Sequence, residues 1–208
     1  MVLGLDTCLN ACSVAVLDGP NVLAHHTALM ARGHQERLAP MVQAAMAESG
    51  VSFNRLQRIG ATVGPGSFTG LRVGVAFAKG LASALGIPAV GVGTLEALVA
   101  DQAGLAAAIL DARRDQVYLQ VFDDGVALMA PDVLPLGTAA ARLAELSNGR
   151  AVTLIGSGAS LLAPACPGAV TQAPEGCDAR LVARLAAARA GTPMRPLYLR
   201  APDARLPA

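Results

Sequence analysis

The stretch Gly64-Pro65-Gly66-Ser67-Phe68-Thr69-Gly70-Leu71-Arg72-Val73-Gly74 decides the fold, because it packs turn residues, a cap and a helix start into one short segment. Before it, Ile59-Gly60-Ala61-Thr62-Val63 reads as a short buried strand. After it, Leu71, Val75, Ala78, Ala82 and Leu85 recur at helical spacing. The segment is therefore a strand-to-helix elbow, with Ser67 or Thr69 as the cap. Backbone N–H groups at a helix start lack partners within the helix, and glycines let whatever sits in front of them approach the main chain closely. Two readings of the elbow stay open: a cradle for an anion, or a tight connection whose glycines only satisfy positive φ.

Working outward, the 208-residue chain is 53% hydrophobic and 15% charged, so it can bury a sizeable core as one large or two small domains. A formal net charge of +1 provides no basic field of the kind that grips phosphate backbones unaided, and only 3% of residues are aromatic. A nucleic acid would have to be held chiefly by a partner. No secretory apolar core opens the chain, and the uncharged runs from Gly80 to Leu95 and from Ala151 to Pro174 are interrupted by glycines and prolines. The expectation is a cytoplasmic protein that does not engage a membrane. Cys8, Cys12, Cys166 and Cys177 lack the spacing of close zinc pairs and read as small, idle thiols.

One plan occurs twice. Val2-Leu3-Gly4-Leu5 ends at Asp6, a turn runs from Thr7 to Ala11, and the strand Cys12-Ser13-Val14-Ala15-Val16-Leu17 closes at Asp18-Gly19. Ile109-Leu110 likewise leads to Asp111, a turn passes through Arg113-Arg114-Asp115, and Val117-Tyr118-Leu119-Gln120-Val121-Phe122 closes at Asp123-Asp124-Gly125. Each hairpin is followed by helices alternating with strands. The first half offers a helix from Gly33 to Glu48, the elbow helix Leu71–Leu85 and a strand Ala89-Val90-Gly91-Val92. The second offers a helix Thr138–Leu146, a strand Ala151-Val152-Thr153-Leu154-Ile155, a short helix opened by Gly156-Ser157-Gly158, and a last helix Ala179–Ala190 stopped by Gly191-Thr192-Pro193. The extended tail Pro196-Leu197-Tyr198-Leu199-Arg200 follows. This predicts an α/β architecture of two similar halves, 1–100 and 101–208, with mixed sheets flanked by helices. Aspartates at the end of the first strand of each half occur in the actin, hexokinase and Hsp70 superfamily (ASKHA, RNase H-like), where they face each other over a nucleotide cleft. Asp6 and Asp111 fit that pattern, although an aspartate also caps turns well.

The chain resembles the bacterial TsaB family, also called YeaZ, over most of its length. The resemblance rests on Leu5-Asp6-Thr7, on Gly33-His34-Gln35-Glu36-Arg37-Leu38-Ala39-Pro40-Met41, on the block from Gly64 to Ala76, on Asp111-Ala112-Arg113-Arg114 and on Tyr198-Leu199-Arg200. The segment from Asp132 to Ala190 carries little of the family pattern. In the related TsaD family two histidines four apart hold a metal; here Thr94 and Leu98 stand in their place, and a leucine cannot coordinate a cation. The resemblance implies a noncatalytic partner of TsaD, the transferase that moves a threonylcarbamoyl group from threonylcarbamoyl-AMP to N6 of adenosine 37 in tRNAs reading codons that begin with A. It implies no metal or cofactor required by this chain, with ATP or ADP able to sit at the junction with TsaD. It also implies a TsaE-like ATPase joined through the complex, a homodimer when alone, and tRNA held mainly by the complex.

The residues expected around a nucleotide cleft are Asp6, Thr7, Gly64, Gly66, Ser67, Thr69, Gly70, Asp111, Gly156 and Gly158. Those expected at the partner interface are Leu38 and Met41 on the first helix and Gly74, Val75, Ala78 and Ala82 on the second, with Arg32, His34, Glu36, Arg72 and Lys79 beside them. The same helical stripes equally suit the protein's own core. Two other classes stay in view. A nucleotide-binding ATPase or kinase would need a phosphate loop, yet Thr7-Cys8-Leu9-Asn10-Ala11 contains no glycine. A metallopeptidase would need the absent histidine pair.

Overall fold

A computed structural model describes residues 1–189 and 193–200. The first half contains β1 (Val2–Asp6), β2 (Ala11–Asp18), β3 (Asn21–Leu29), α1 (His34–Ser49), β4 (Arg58–Thr62), α2 (Phe68–Leu85), β5 (Ala89–Val92) and α3 (Thr94–Val99). Its sheet has the order β3-β2-β1-β4-β5. β1 runs antiparallel to β2 and parallel to β4, which in turn runs parallel to β5. β1 is buried along its whole length and β2 up to Leu17, because helices cover both faces of these central strands. The edge strand β3 is mostly open to solvent.

The second half contains β6 (Leu105–Arg113), β7 (Gln116–Asp123), β8 (Val126–Ala127), β9 (Asp132–Pro135), α4 (Leu136–Ser147), β10 (Thr153–Ile155), α5 (Ala159–Leu162), β11 (Val170–Gln172) and α6 (Ala179–Ala188). Its sheet has the order β11-β10-β6-β7-β8, with β9 paired to β7. The plan of the first sheet returns: an antiparallel hairpin, β6 and β7, next to parallel strands β10 and β11.

Alternation along the central strands sorts the side chains into layers. Leu3, Leu5, Val14 and Val16 face α1 and α2, while Val2, Ala15 and Leu17 face α6. Ala106, Ala108 and Leu110 of β6 share that second core with α3 and α6. Leu105, Ala107 and Ile109 face Leu143 of α4 and Leu162 of α5 on the far side. Thus α3 and α6 lie between the two sheets, α1 and α2 cover one outer face, and α4 and α5 the other. The packing of α6 against the first sheet is close: a Cβ at Gly4 would fall 2.2 Å from the Ala179 carbonyl oxygen, and one at Gly60 would fall 2.4 Å from the Ala186 Cβ. Arg58 Nη1 reaches across to donate to the carbonyl of Ala186 at 2.8 Å.

Several boundaries differ from the sequence reading. The elbow helix starts at Phe68 rather than Leu71, because Ser67 is the cap: its Oγ accepts from the Gly70 N–H at 3.3 Å. Among the elements that the sequence reading does not place, α3, β8, β9 and β11 are each six residues or fewer, too short to show a period. α6 ends at Ala188, and the stop expected at Gly191-Thr192 lies outside the described residues. The tail is a strap. Pro193 bridges to Val90, the Leu197 N–H donates to the Val63 carbonyl at 2.7 Å, and Arg200 Nη1 donates to the Ala112 carbonyl at 2.8 Å.

Candidate functional site

The elbow joins β4 to α2 at the mouth of a cleft of about 630 Å³ between the two halves. Gly66, Ser67, Asp111, Arg113, Ser157 and Glu175 are among its lining residues. The backbone of the elbow does not face that space freely, because the turn after β1 sits against it. The Ser67 N–H donates to the Cys8 carbonyl at 2.7 Å, and Thr7 Oγ1 donates to the Gly70 carbonyl at 2.7 Å. A Cβ at Gly66 would lie 2.3 Å from the Cys8 carbonyl oxygen, one at Gly70 2.0 Å from that of Thr7, and one at Gly74 2.4 Å from Thr7 Oγ1. The close approach that these glycines permit is used by the chain itself. Only Gly64 among them has a positive φ, of 102°.

Asp6 and Asp111 do not face each other over the cleft. Asp6 is buried, with 1% of its surface exposed, and it does not line the cavity. Its Oδ1 accepts from Thr62 Oγ1 at 2.6 Å and from the Cys8 N–H at 3.1 Å, while Oδ2 accepts from the Cys177 N–H at 2.8 Å. Gly176 lies over it: a Cβ there would fall 3.4 Å from Asp6 Oδ2. Burial raises the Asp6 pKa above its ordinary 3.8, even though these three bonds act to lower it. The segment before α6 thus covers the aspartate that a nucleotide-bound metal would use. Asn10 Nδ2, donating to Glu175 Oε2 at 3.3 Å, ties that segment down.

Asp111 does line the cleft, half-buried, but it too is engaged locally. Its Oδ1 accepts from the Arg113 N–H at 2.7 Å, its Oδ2 pairs with Arg113 Nη1 at 3.1 Å, and its own N–H donates to Ser157 Oγ at 3.2 Å. The bond from residue i+2 repeats in both halves, from Cys8 to Asp6 and from Arg113 to Asp111, so both aspartates cap turns. Gly156, with φ 119°, and Gly158 pack on β6: a Cβ at Gly156 would sit 2.3 Å from the Ile109 carbonyl oxygen.

The residues expected at a partner interface divide. Leu38, Met41, Val75, Ala78 and Ala82 are buried in the core between α1, α2 and the first sheet, and Gly74 is buried against Thr7. They face the protein's own interior, which corrects the expectation that they meet a partner. Arg32, Glu36, Arg72 and Lys79 are exposed. His34 is buried at the first turn of α1, where it borders a hollow of about 450 Å³ with Arg32, Thr69 and Gly70, and its Nε2 has no hydrogen-bond partner. Thr94 and Leu98 are both buried. Among the described residues, no three His, Cys, Asp or Glu side chains are grouped to hold a metal ion.

Two features escaped the sequence reading. Ser13, His25 and Asp178 come together from β2, β3 and the cap of α6: Ser13 Oγ lies 3.3 Å from His25 Nε2, which lies 3.5 Å from Asp178 Oδ1. Both partners address the same ring nitrogen and Ser13 is fully buried, so the group lacks the geometry of a proton relay to a nucleophile. The alternating pattern of β2 and β3 could have suggested the Ser13–His25 contact, but not Asp178. The second feature is Tyr198 of the strap, which stands beside Phe68 and Arg72 at the start of α2. Burial pushes the Cys8 and Cys12 thiols up to about 12 and about 11, and raises Cys177 well above its ordinary 9.0, as expected of inert side chains.

Comparison with known proteins agrees with this architecture. A family model described as TsaD, tRNA N6-adenosine threonylcarbamoyltransferase, matches residues 22–147. The Mycobacterium tuberculosis protein Rv3421c is 36% identical over 98% of this chain and 93% of its own length. The Escherichia coli tRNA threonylcarbamoyladenosine biosynthesis protein TsaB is 38% identical over 56% of this chain and 52% of its own. Two solved structures from Pseudomonas aeruginosa superpose over nearly the whole chain. One, described as similar to peptidase YeaZ, has a TM-score of 0.83 and 31% identity, covering 96% of this chain and 99% of that one. The other, YeaZ, has a TM-score of 0.78 and 29% identity, covering 95% and 99%. A ROK hexokinase from Thermus thermophilus shares the fold at 18% identity and a TM-score of 0.52, over 89% of this chain and 98% of that one. The two-sheet plan, the elbow and the likeness to YeaZ along nearly the full length together place this chain in the TsaB (YeaZ) family.

Proposed function

We propose that this chain is the noncatalytic, TsaD-binding subunit of the machinery that moves a threonylcarbamoyl group from threonylcarbamoyl-AMP to N6 of adenosine 37 in tRNAs reading codons that begin with A. The names of the family members support threonylcarbamoyladenosine synthesis as its setting. The observation that favours a noncatalytic role is Asp6. A carboxylate placed where active superfamily members organise a nucleotide is here bonded to three of the chain's own donors and covered by Gly176. Leu98 cannot serve as a metal ligand, Ser13 is sealed beneath His25, and the Cys8, Cys12 and Cys177 thiols are buried. What the chain offers a reaction is shape.

In this reading the chain works in the cytoplasm and needs no cofactor of its own. ATP or ADP is accommodated at the junction with the TsaD-like subunit, a TsaE-like ATPase joins through that complex, tRNA is held mainly by the complex, and the free chain pairs with a second copy. A second reading, passive binding of a nucleotide, is favoured only by the open cleft of about 630 Å³. The test is a threonylcarbamoyl-transfer assay on unmodified tRNA with the purified chain and the TsaD-like protein of the same organism. Activity that needs both proteins and survives Asp111→Asn in this chain supports the subunit reading. ATP-dependent turnover by this chain alone overturns it.

A further inference from the structure

β3 is a long strand with one side unpaired. It stands at the end of the first sheet and spans nine residues. The opposite edge of that sheet, β5, is bridged by Pro193 of the strap, and the outer strands of the second sheet, β8, β9 and β11, are only two, four and three residues long. Short or covered edges resist pairing with other chains, whereas a long bare one invites it. Which groups of β3 are bare follows from its ladder with β2. The register sets Ala11 opposite Leu29 and Cys12 opposite Ala28, and one step further the Met30 N–H donates to the Asn10 carbonyl at 2.9 Å. Hydrogen-bonded pairs alternate along antiparallel strands, so Ala28, His26 and Ala24 turn their N–H and C=O groups to β2, and Leu29, Thr27 and His25 turn theirs outward. Among the described residues no backbone group pairs with these three.

The usual guards of an open edge are missing. From Asn21 to Leu29 there is no proline, lysine, arginine, aspartate or glutamate, and the one irregularity of register falls at the far end, beside Val16 and Leu17 of β2. Leu29, at the near end, is 73% exposed. Charge selects what can lie alongside. The ionisable side chains of the strand, His25 and His26, already stand beside the carboxylates of Asp178 and Glu48, so a charged segment would find no free counter-charge here, and an equally neutral strand fits. β3 is itself such a strand, and it is self-complementary. In an antiparallel pair about a two-fold axis at Thr27, the outward groups of His25, Thr27 and Leu29 meet those of Leu29, Thr27 and His25 in the second copy. Thr27 then faces Thr27, a favourable cross-strand pair, Leu29 covers His25, and His26 faces Ala28, so that no two imidazoles are opposed. Each copy gives the joint three N–H donors and three C=O acceptors.

We infer that a second copy of this chain adds edge to edge along the outer side of β3, joining two five-stranded sheets into one continuous sheet. This pairing rests on the reading above that the free chain associates with itself, and gives that association a face apart from α2. The test is sedimentation equilibrium of the full chain as wild type, Thr27→Lys, Thr27→Glu and Leu29→Pro, with melting curves for each. Proline at 29 deletes an outward N–H and leaves the ladder with β2 intact. The wild type should be a dimer, and each variant alone should remain folded and dissociate at least about tenfold more readily, because like charges oppose each other at the axis or an edge bond is lost. An equimolar mixture of Thr27→Lys and Thr27→Glu should pair again, since opposite charges then meet at the axis. Folded, monomeric Thr27→Lys and Thr27→Glu that fail to pair when mixed would overturn the axis at Thr27. Wild-type affinity in Thr27→Lys and Leu29→Pro would overturn the β3 joint and leave self-association to another face. A wild type that stays monomeric at every concentration would overturn both, while its binding to the TsaD-like protein, measured separately, would still uphold the subunit reading.

Discussion

At Gly70 a hydrogen is required for a reason that conformational freedom does not supply. Its backbone lies in the first turn of α2, where alanine is acceptable, but an added Cβ would meet the Thr7 carbonyl oxygen at 2.0 Å. Neither backbone can yield without parting the elbow from the turn after β1. Gly70→Ala should therefore lower stability by about 3 kcal/mol, read as a shift in urea midpoint, whereas Gly80→Ala on the open face of the same helix should stabilise slightly. Val75→Glu separates the two readings of the α2 stripe. Val75 is 5% exposed in the core, so the substitution buries an unpaired carboxylate, and thermal melting should show a loss of about 3 kcal/mol or more in the isolated protein. A folded variant of wild-type stability would return Val75 to the surface. Thiol labelling probes the same interior. Cys166 is the partly open cysteine, whereas Cys8, Cys12 and Cys177 are buried. Under native conditions a disulfide reagent should modify Cys166 first, and the other three only on unfolding.

The start of α6 is held by its own cap and by two strands. Asp178 caps it, accepting from the Arg180 N–H at 2.8 Å, and Ser13 of β2 accepts from the Ala179 N–H at 3.3 Å. His25 of β3 stands beside both. Burial lowers the His25 pKa below its ordinary 6.5, Arg180 and His26 act in the same direction, and Asp178 opposes them. The unfolded chain then binds a proton more readily than the folded one between that lowered value and 6.5. Stability should fall as pH drops below 6.5 and level off under the folded value. In His25→Asn the slope of urea midpoint against pH in that window should be shallower; an unchanged slope would assign it to other groups. Asp178 acts in the same sense, at lower pH. Burial raises its pKa, but the bonds and charge of Arg180 outweigh this and hold it below the ordinary 3.8, so its contribution is present above 3.8 and lost at lower pH.

At the scale of the molecule, the last helix and the strap belong to both halves. α6 completes the core of the first sheet, with Val182, Ala183 and Ala186 packed beside Val2, Leu17 and Val90. The strap passes from Val90 by way of Val63 to Ala112. A fragment ending at residue 172 would leave Gly4 and Gly60 facing water where a helix belongs, and Asp6 without its Cys177 donor. It should fail to fold, and the intact chain should unfold in a single calorimetric transition. Two separate transitions would show that the halves hold themselves independently.

Much of this was legible from local pattern. The apolar runs of β1 and β2, the elbow with its Ser67 cap, the helical spacing of α2 and the Asp6 and Asp111 turns each lie within one strand or a few helical turns, where side-chain period and backbone preference act directly. The two-half α/β plan and the family resemblance follow from the same segments. Tertiary structure alone decided what those residues face. Asp6 is covered by Cys177, 171 positions further along the chain, and Tyr198 meets Arg72 across 126. The elbow glycines look alike whether an anion or the chain's own turn approaches them. A period shows that a helix has an apolar stripe, not what covers it; the order of strands in the two sheets brings α6 and the strap to these sites, and burial then sets which groups remain open to a partner.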